Sequence, residues 1–401
     1  MSDKAVEAVP DELWDALVVG AGPAGCAAAI RLASEGHRVL LLDRHRFPRE
    51  KVCGDGLTVE AVACLARLGV QDAVREAAHE VAGLVAYSPS KVEVEVAAPF
   101  LALRRERLDA LLAERAVKAG AVFCQGEVRD MQERPDGTVV AAVAGRAEPA
   151  RARFAAIATG ATTRLAKALG LVAGGAPSGV GIRCYVRSPV VLDRMLTFYP
   201  ACLLPGYAWV FPMGGGEYNV GCATLGSRHR AGRDLRQALT GVLAQLPLAR
   251  ELLERAEAIT PPRGAMLRGG LAGVRRLVAG RVVAIGETIG STLPFTGEGV
   301  AMAIRTGELA ADAIGKALAA GRPALLNDYP AQVEAALRPR YMAYRAAQAA
   351  ASVPWLNDFL ARHSREGRVL RGLLTGVVAP AAASRRLRLL QWVFRTLARL
   401  R

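Results

Sequence analysis

The chain has 401 residues, of which 52% are apolar and 22% are charged, and its formal net charge is +15. This length and composition suit one large or two interleaved folded units with a buried core, and they exclude a disordered chain. Forty-one glycines with only 5% aromatic residues favour a loop-rich α/β protein, because glycine serves turns and close ligand approach. Collagen-like and low-complexity chains are excluded because the sequence has no repeating period.

Cysteine and histidine usage excludes two further classes of protein. The seven cysteines include no CxxC pair, and the five histidines are scattered without an HxxxH pair. We therefore predict neither a disulfide scaffold nor a metal site. Residues 1–10 have no apolar core, and no apolar run reaches the length of about 18 residues that a spanning helix needs. The expectation is a cytoplasmic protein with reduced thiols.

A dinucleotide-binding pattern opens the folded part of the chain. Residues 15–19 predict a strand that leads into a GxGxxG turn at residues 20–25, and helix formers follow to residue 35. A second strand over residues 37–42 ends in an acid. Such glycines admit a pyrophosphate at the helix N-terminus, and the acid accepts hydrogen bonds from a ribose. The predicted contacts are Gly20, Gly22, Pro23, Ala24, Gly25, Asp43 and the neighbouring Arg44. A generic glycine-rich turn is the alternative.

Later elements predict a return to the same layer after a different unit. A helix is predicted over residues 105–119, and strands over residues 121–125, 137–143, 152–157 and 281–285. Residues 171–260 instead alternate short β-like runs with Gly and Pro clusters, followed by a helical stretch over residues 233–258. This composition is typical of an antiparallel sheet. A helix then follows over residues 300–318.

Four motifs together resemble those of a known family. They are Gly20-Ala-Gly-Pro-Ala-Gly25, Phe47-Pro-Arg-Glu-Lys-Val-Cys-Gly-Asp-Gly-Leu57, Tyr207-Ala-Trp-Val-Phe-Pro212 followed by Asn219-Val-Gly221, and Pro294-Phe-Thr-Gly-Glu-Gly299. In order and spacing they resemble the geranylgeranyl reductase family of FAD-dependent oxidoreductases, over roughly residues 15–320. The family shares its architecture with aromatic hydroxylases and flavin halogenases. The resemblance implies FAD as the cofactor.

The predicted fold class is α/β, with three regions. They are a discontinuous Rossmann-type FAD-binding domain over residues 1–80, 102–170 and 262–330, an inserted antiparallel-sheet substrate domain over residues 81–101 and 171–261, and a basic helical C-terminal region over residues 331–401. Two departures from the family pattern stand out. The late strand ends in Gly286-Glu287 where the family usually has Gly-Asp beside the ribityl chain, and Thr159-Gly160 replaces the Asp-Gly of the related hydroxylases.

The resemblance implies roles for further residues near the flavin. Cys53 and Gly54 lie in the loop that the family places against the flavin, and Cys53 is a candidate proton donor or a pocket residue. Arg105 matches an arginine that reaches the phosphate and ribityl region, with Arg107 as an alternative. Gly297, Glu298 and Gly299 precede a helix whose N–H groups point at the flavin ring, unless this segment is only a helix cap.

Three aromatic residues at alternate positions predict one face of a strand. Tyr207, Trp209 and Phe211 could wall an apolar substrate tunnel together with Phe295, or they could belong to the core of a sheet. Trp209 is also a candidate catalytic residue. Flavin halogenases have a tryptophan pair in a related motif, and Tyr207 occupies the first position of that pair here, which argues against halogenation.

The reaction implied by the family is hydride transfer from reduced FAD to a C=C bond of a polyprenyl or other lipid-like substrate. A monooxygenase acting on an aromatic or amino-acid ring is the main alternative, and a flavin-binding protein without turnover is a third. Because no second dinucleotide fingerprint follows the first, the expected reductant is transient NAD(P)H or a protein electron donor.

The C-terminal region carries most of the charge. Residues 331–401 hold thirteen Arg against three acidic residues, which is +10 of the +15. Residues 385–401 contain six Arg and no acid, and at helical spacing they predict an amphipathic basic helix. Without a zinc-finger, RNP or helix-turn-helix pattern, no nucleic-acid partner is predicted. An anionic membrane surface is the expected partner, and docking of the helix on the enzyme itself is the alternative.

Overall fold

A computed structural model describes residues 12–173, 177–226 and 235–366. This part of the chain forms two β-sheets and ten α-helices. The strands are β1 (Leu13–Val19), β2 (Val39–Asp43), β3 (Gly56–Leu57), β4 (His79–Tyr87), β5 (Glu93–Ala102), β6 (Val122–Gln125), β7 (Val128–Glu133), β8 (Val139–Val143), β9 (Ala150–Ile157), β10 (Gly179–Arg187), β11 (Met195–Phe198), β12 (Tyr207–Gly214), β13 (Glu217–Leu225), β14 (Ala258–Ile259), β15 (Arg263–Leu267), β16 (Val278–Ala279) and β17 (Val282–Ala284). The helices are α1 (Pro23–Ser34), α2 (Val59–Arg67), α3 (Gln71–Ala77), α4 (Arg105–Lys118), α5 (Arg164–Ala168), α6 (Leu235–Leu243), α7 (Pro247–Glu254), α8 (Val300–Ala320), α9 (Tyr329–Ala351) and α10 (Pro354–Glu366), and 3₁₀ turns occur at Gly286–Ile289 and Pro323–Asp328.

The first sheet has a parallel centre. Its parallel strands stand in the order β17, β9, β1, β2 and β6, while β16 and the β7–β8 hairpin are joined in antiparallel fashion. β2 is buried along its whole length and β1 over most of it, as expected for parallel strands covered on both faces. On one side of β1 the chain continues through β2 to β6, and it later returns to the other side of β1 to form β9. In open α/β sheets such a reversal opens a ligand crevice at the carboxyl end of the strands.

Close packing joins the first helix to a late one. α1 begins at Pro23, whose fixed φ suits the first helical position, after Gly22 in extended backbone. α8 packs along α1, and a Cβ at position 307 would overlap the carbonyl oxygen of Ala24. Glycine at position 307 therefore permits the short distance between the two helices. α8 ends at Gly321, which adopts the left-handed conformation common after helices.

The second sheet is antiparallel except for the parallel pair β4 and β11. Its order is β14, β10, β13, β12, β11, β4, β5 and β3, and β15 also pairs with β10. One face packs against α6 and α7 in a separate hydrophobic core. The opposite face carries Tyr207, Trp209 and Phe211 at alternate positions of β12, as the period of a strand predicts.

The predicted fold class is confirmed, including helices in the C-terminal region. Two details differ from the prediction. The helical stretch predicted over residues 233–258 contains two helices, because Pro247 cannot continue α6 and instead starts α7. The second sheet extends beyond the boundary predicted at residue 261, because β15 pairs with β10, and β3 joins it from within residues 1–80. The predicted basic helix over residues 385–401 lies outside the described residues. Within the described ranges, no helix combines the length and hydropathy needed to cross a bilayer.

Candidate active site

The three glycines of the first turn have three different steric roles. Gly20 has φ +106°, and a Cβ there would overlap the carbonyl oxygen of Ala158. Gly25 lies so close to the carbonyl group of Gly20 that a Cβ would overlap it. A Cβ on Gly22 would approach only Arg49 Nη2, at 3.9 Å. The turn therefore leaves an open cradle at the N-terminus of α1, where the first N–H groups have no intrahelical acceptor.

Asp43 ends β2 beside this cradle. Its two carboxylate oxygens accept hydrogen bonds from the backbone N–H groups of Ala21 and His45, at 2.8 and 2.9 Å. The residue is only 8% exposed, yet it lines the same cavity as Arg44. Since each carboxylate oxygen keeps further lone pairs, the fixed carboxylate can still accept hydrogen bonds from a ribose.

One cavity of about 510 Å³ is shared by the cradle and the second sheet. Its volume lies within the range of small-molecule and cofactor sites. The predicted site residues on its wall are Gly20, Gly22, Pro23, Ala24, Asp43, Arg44, Cys53, Gly54, Arg105, Tyr207, Trp209, Phe211, Glu287, Gly297 and Gly299. The structure thus brings together residues from both sheets and from the loop before α8.

Four predicted residues lie off the cavity wall, namely Gly25, Gly286, Phe295 and Glu298. The two glycines have packing roles. Gly25 packs α1 against the turn. Gly286 has φ +64°, and a Cβ there would overlap the Cβ of Ala24 at 2.6 Å. The structure places both glycines behind the cradle, where they set the distance between backbone segments, and their direct contact with a cofactor stays a prediction.

The Glu298 carboxyl group is directed toward α2. It accepts a 2.5 Å hydrogen bond from Oγ1 of Thr58, the residue that caps α2. Burial raises the pKa of Glu298 to about 7, although the Thr58 hydrogen bond and the charge of Arg340 act in the opposite direction. The loop before α8 therefore meets the cavity through Gly297 and Gly299, where backbone groups at a helix start can face a ligand.

Arg105 belongs to a buried charge cluster on the cavity wall. Its guanidinium donates two 2.8 Å hydrogen bonds to the carboxylate of Asp109, and Arg49 Nη1 lies 2.9 Å from the same carboxylate. Burial lowers the pKa of Arg105, but the charge and hydrogen bonds of Asp109, together with the effect of Cys53, outweigh burial and leave the pKa raised. Two cations share one anion, so the cluster retains positive charge for a pyrophosphate near the cradle. Sequence reasoning missed Arg49 and Asp109, although the i, i+4 spacing of Arg105 and Asp109 was a signal.

Glu287 extends into the cavity from the 3₁₀ turn after β17. Its Oε2 accepts a 2.9 Å hydrogen bond from Lys51 Nζ, and its Oε1 accepts one of 3.3 Å from the backbone N–H of Arg268. A Cβ on Gly160 would lie 3.6 Å from Glu287 Oε2, so the glutamate reaches across to the turn after β9. The side chain is longer than the aspartate usual in the family, and Lys51 holds it at the wall.

Five aromatic rings form a continuous row along the second sheet. In order they are Phe295, Tyr199, Tyr207, Trp209 and Phe211, with successive ring centroids 5.8, 5.4, 5.8 and 6.3 Å apart. Phe295 joins this row by stacking on Tyr199. Sequence reasoning missed Tyr199, because this residue lies just past the end of β11. The three rings from β12 face the cavity.

The polar hydrogens of two wall rings are already used within the protein. The Tyr207 hydroxyl donates to the carbonyl oxygen of Thr296 at 2.5 Å, and the Trp209 Nε1–H donates to Asn219 Oδ1 at 2.9 Å. Burial raises the pKa of Tyr207 well above its usual range. Neither ring therefore has an uncommitted O–H or N–H for a ligand, and both present apolar faces.

Cys53 lies on the wall between the charge cluster and the aromatic row. Cys53 is half-buried, and its side chain lies near enough to Arg105 to raise the pKa of that guanidinium. A Cβ on the following Gly54 would lie 3.3 Å from Phe211 Cε2, so this loop runs close over the aromatic face. All seven cysteines are among the described residues, and six of them do not line this cavity.

These residues fit a flavin dinucleotide better than a metal. The cradle has room at Gly22 for a pyrophosphate, a charged cluster stands beside it, and the Asp43 carboxylate on the same wall can accept further hydrogen bonds. In the part of the chain that the structure describes, no group of three or more His, Cys, Asp or Glu residues could hold a metal ion.

Comparison with known proteins agrees with this chemistry. Residues 14–184 match the FAD binding domain family. A menaquinone reductase from Mycolicibacterium smegmatis is 32% identical over 320 residues, which are 74% of this chain and 75% of that protein. Digeranylgeranylglycerophospholipid reductase 2 from Methanopyrus kandleri is 29% identical over 76% of this chain and 78% of that protein. The chain belongs to the geranylgeranyl reductase family. It is therefore an FAD-dependent oxidoreductase.

Solved structures of the same fold include a reductase-like protein and flavin halogenases. A geranylgeranyl bacteriochlorophyll reductase-like protein from Thermoplasma acidophilum has a TM-score of 0.77 at 21% identity, and the match covers 94% of this chain and 96% of that one. A flavin-dependent brominase has a TM-score of 0.81 at 18% identity, covering 97% and 100%. At these identities the likeness shows the fold alone.

Proposed function

We propose that this oxidoreductase reduces carbon–carbon double bonds in the polyprenyl chain of a lipid-like substrate. The observation that carries the proposal is the apolar wall of Tyr207, Trp209 and Phe211 in the same cavity as the glycine cradle. The names of the relatives described above, a menaquinone reductase and a digeranylgeranylglycerophospholipid reductase, support the same substrate class.

The committed polar hydrogens of the wall favour a hydrocarbon substrate. An isolated alkene has no hydrogen-bonding group, so an uncommitted donor in the wall would only retain water beside it. Tyr207 and Trp209 use their donors within the protein, and Phe211 has none. Such rings bind a branched apolar chain through dispersion contacts and exclude water from the reacting carbons.

Hydrogenation of an alkene needs a hydride and a proton. When bound and reduced, FAD supplies the hydride equivalent. We assign the proton on the other alkene carbon to the Sγ–H of Cys53, the thiol on the cavity wall, with a water molecule as the competing donor. Arg105 lies beside this thiol and can stabilise the thiolate left after proton transfer. The reductant that restores FAD is proposed to be transient NAD(P)H or a protein electron donor.

The deciding experiment assays the FAD-loaded protein under two atmospheres, anaerobically with dithionite as the electron source and under labelled oxygen with NAD(P)H, because dithionite would consume the oxygen. Geranylgeranyl lipids, menaquinones and aromatic metabolites are supplied, and products are identified by mass spectrometry. Gain of two hydrogens per reduced bond without oxygen is the expected result for a polyprenyl lipid. Strict dependence on oxygen with incorporation of labelled oxygen would refute the reductase and support a monooxygenase, and no product under either atmosphere would refute both.

A second variant tests the proton donor. Cys53→Ser should slow the anaerobic reaction at least about tenfold while leaving FAD bound, because a serine hydroxyl is a much weaker acid than a thiol. The matched control is Cys202→Ser, at the exposed thiol outside the cavity, which should retain the wild-type rate. An unchanged rate in Cys53→Ser would assign the proton to water.

A further inference from the structure

A buried asparagine connects the two halves of the reaction cavity. Asn219 on β13 is 0% exposed and does not line the cavity. Its Nδ2 donates to the backbone carbonyl oxygen of Cys53 at 2.9 Å and to Oδ2 of Asp55 at 2.8 Å. Its Oδ1 accepts the Trp209 Nε1–H at 2.9 Å. One side chain therefore bonds both the loop that carries the thiol and the central ring of the aromatic wall.

The amide group suits this task better than any other side chain of its size. An asparagine has two N–H donors and one carbonyl acceptor, and here both donors and the acceptor are used. Position 221, two residues later on β13, is a glycine, and a Cβ there would overlap the Trp209 ring. The indole thus lies flat over the strand that carries Asn219, with its N–H directed at the amide.

The Asp55 carboxylate accepts further hydrogen bonds besides the one from Asn219. The residue has φ +62° and is almost fully buried. Its Oδ2 also accepts a 2.6 Å hydrogen bond from the Tyr185 hydroxyl, and its Oδ1 accepts one of 3.2 Å from the backbone N–H of Arg105. Tyr185 in turn lies between two guanidinium groups, with Arg104 Cζ and Arg183 Cζ at 4.0 and 4.3 Å from its ring centroid. The carboxylate is therefore a fixed anchor for Asn219.

We propose that Asn219 is the positioning residue that sets the separation of the Cys53 thiol and the Trp209 ring across the cavity. The inference rests on the proposed function, because it assigns a purpose to this separation: the alkene must lie between the proton donor and the aromatic wall. Asn219 is buried off the cavity wall, so in this proposal it acts only through the loop and the ring. A shift of a reacting group by about 1 Å can cost a large factor in rate, so a fixed spacer has kinetic consequences.

The test is Asn219→Asp in the FAD-loaded protein. Aspartate has the same shape and keeps the acceptor for Trp209, but it places an oxygen where Nδ2 met the oxygens of Cys53 and Asp55. Loss of these two hydrogen bonds should open the loop and increase the rate of Cys53 alkylation by iodoacetamide about tenfold. The alkylated peptide is quantified by mass spectrometry. Asn219→Ala provides the same readout if the aspartate variant does not fold.

Tyr185→Phe is the matched control. It removes one hydrogen bond from the same Asp55 carboxylate but leaves all three bonds of Asn219 in place. Alkylation of Cys53 in this control should stay within about twofold of wild type, since the hydrogen bond from Asn219 to the Cys53 carbonyl oxygen is retained. An acceleration below about threefold in the Asn219 variant, or an equal acceleration in the control, would overturn the inference.

Kinetics separate a positioning role from a general loss of stability. With a polyprenyl lipid that the wild type reduces, Asn219→Asp should lower kcat about tenfold and leave KM within about threefold, because the apolar wall still binds the chain. An equal loss of kcat in the Tyr185→Phe control would overturn the positioning role of Asn219. If the wild type reduces no such lipid, the proposed function fails, while the alkylation comparison still decides whether Asn219 holds the loop.

Discussion

Replacing Glu298 by glutamine should change how the stability of the protein depends on pH. The Glu298 carboxyl group is enclosed between the loop before α8 and the start of α2, and burial raises its pKa from 4.5 to about 7. A pKa that is higher in the folded than in the unfolded chain means that the folded state holds the proton more tightly. The stabilisation from this group is therefore complete below about pH 4.5 and is lost as the pH rises through 7.

The size of the effect follows from the same pKa. A rise from 4.5 to about 7 corresponds to about 3 kcal/mol of unfolding free energy. For 401 residues the unfolding entropy is about 0.8 kcal/mol/K, so the loss corresponds to about 4 °C in Tm. A glutamine amide is neutral at every pH. Part of the stabilisation is already lost at pH 5, so the Tm of Glu298→Gln minus that of the wild type should rise by about 3 °C between pH 5 and pH 8.

Scanning calorimetry of the FAD-loaded proteins at each pH measures this difference. Global effects of pH cancel because both proteins carry them, and a constant offset from packing of the new amide does not alter the slope. The matched control is Glu114→Gln on the exposed side of α4, for which the Tm difference should be flat. A flat difference for Glu298→Gln as well would refute the enclosed, protonated carboxyl group.

Three further perturbations test other parts of the structure. Gly22→Ala should fold normally but bind FAD at least about tenfold more weakly in a fluorescence titration, because the methyl group fills the cradle, whereas Gly25→Ala should yield little folded protein. Asp109→Asn should destabilise the fold by roughly 3–5 kcal/mol in calorimetry, because it leaves the buried guanidinium of Arg105 and the neighbouring Arg49 without a counter-charge, and an unchanged Tm would contradict this. Deleting residues 385–401 should leave FAD bound but weaken salt-sensitive sedimentation with anionic liposomes, since each Arg near such a surface contributes about 1 kcal/mol, and equal sedimentation of both forms would reject the anchor.

Structural features that depend on a short run of consecutive residues were predictable from the sequence. The GxGxxG turn follows from its spacing between a strand and a helix, and the shared face of Tyr207, Trp209 and Phe211 follows from the two-residue period of a strand. The fold class followed from the same local patterns, because a parallel layer and an antiparallel sheet differ in how apolar residues are spaced.

Contacts between distant segments were not predictable in this way. Asn219 and Asp55 are 164 positions apart, and Thr58 and Glu298 are 240 apart, so no local period links them. The sequence identified Glu298 only as part of a loop before a helix, and the direction of its carboxyl group depends on where α2 lies. Side-chain hydrogen bonds of this kind are set by the packing of the two sheets, which a single sequence does not specify.

The packing of α8 on α1 has a consequence for the synthesis of the chain. A ribosome completes the glycine turn and α1 about 270 residues before it reaches Gly307, whose backbone packs on Ala24. At about 5–20 residues per second this interval lasts on the order of 15–55 s. Throughout it the side of α1 that packs on α8 stays uncovered, although α4 is made early and packs on α1 as well, while the whole second sheet is translated. The nascent protein therefore completes its flavin site late, and chaperones have most of the translation time in which to meet the uncovered helix.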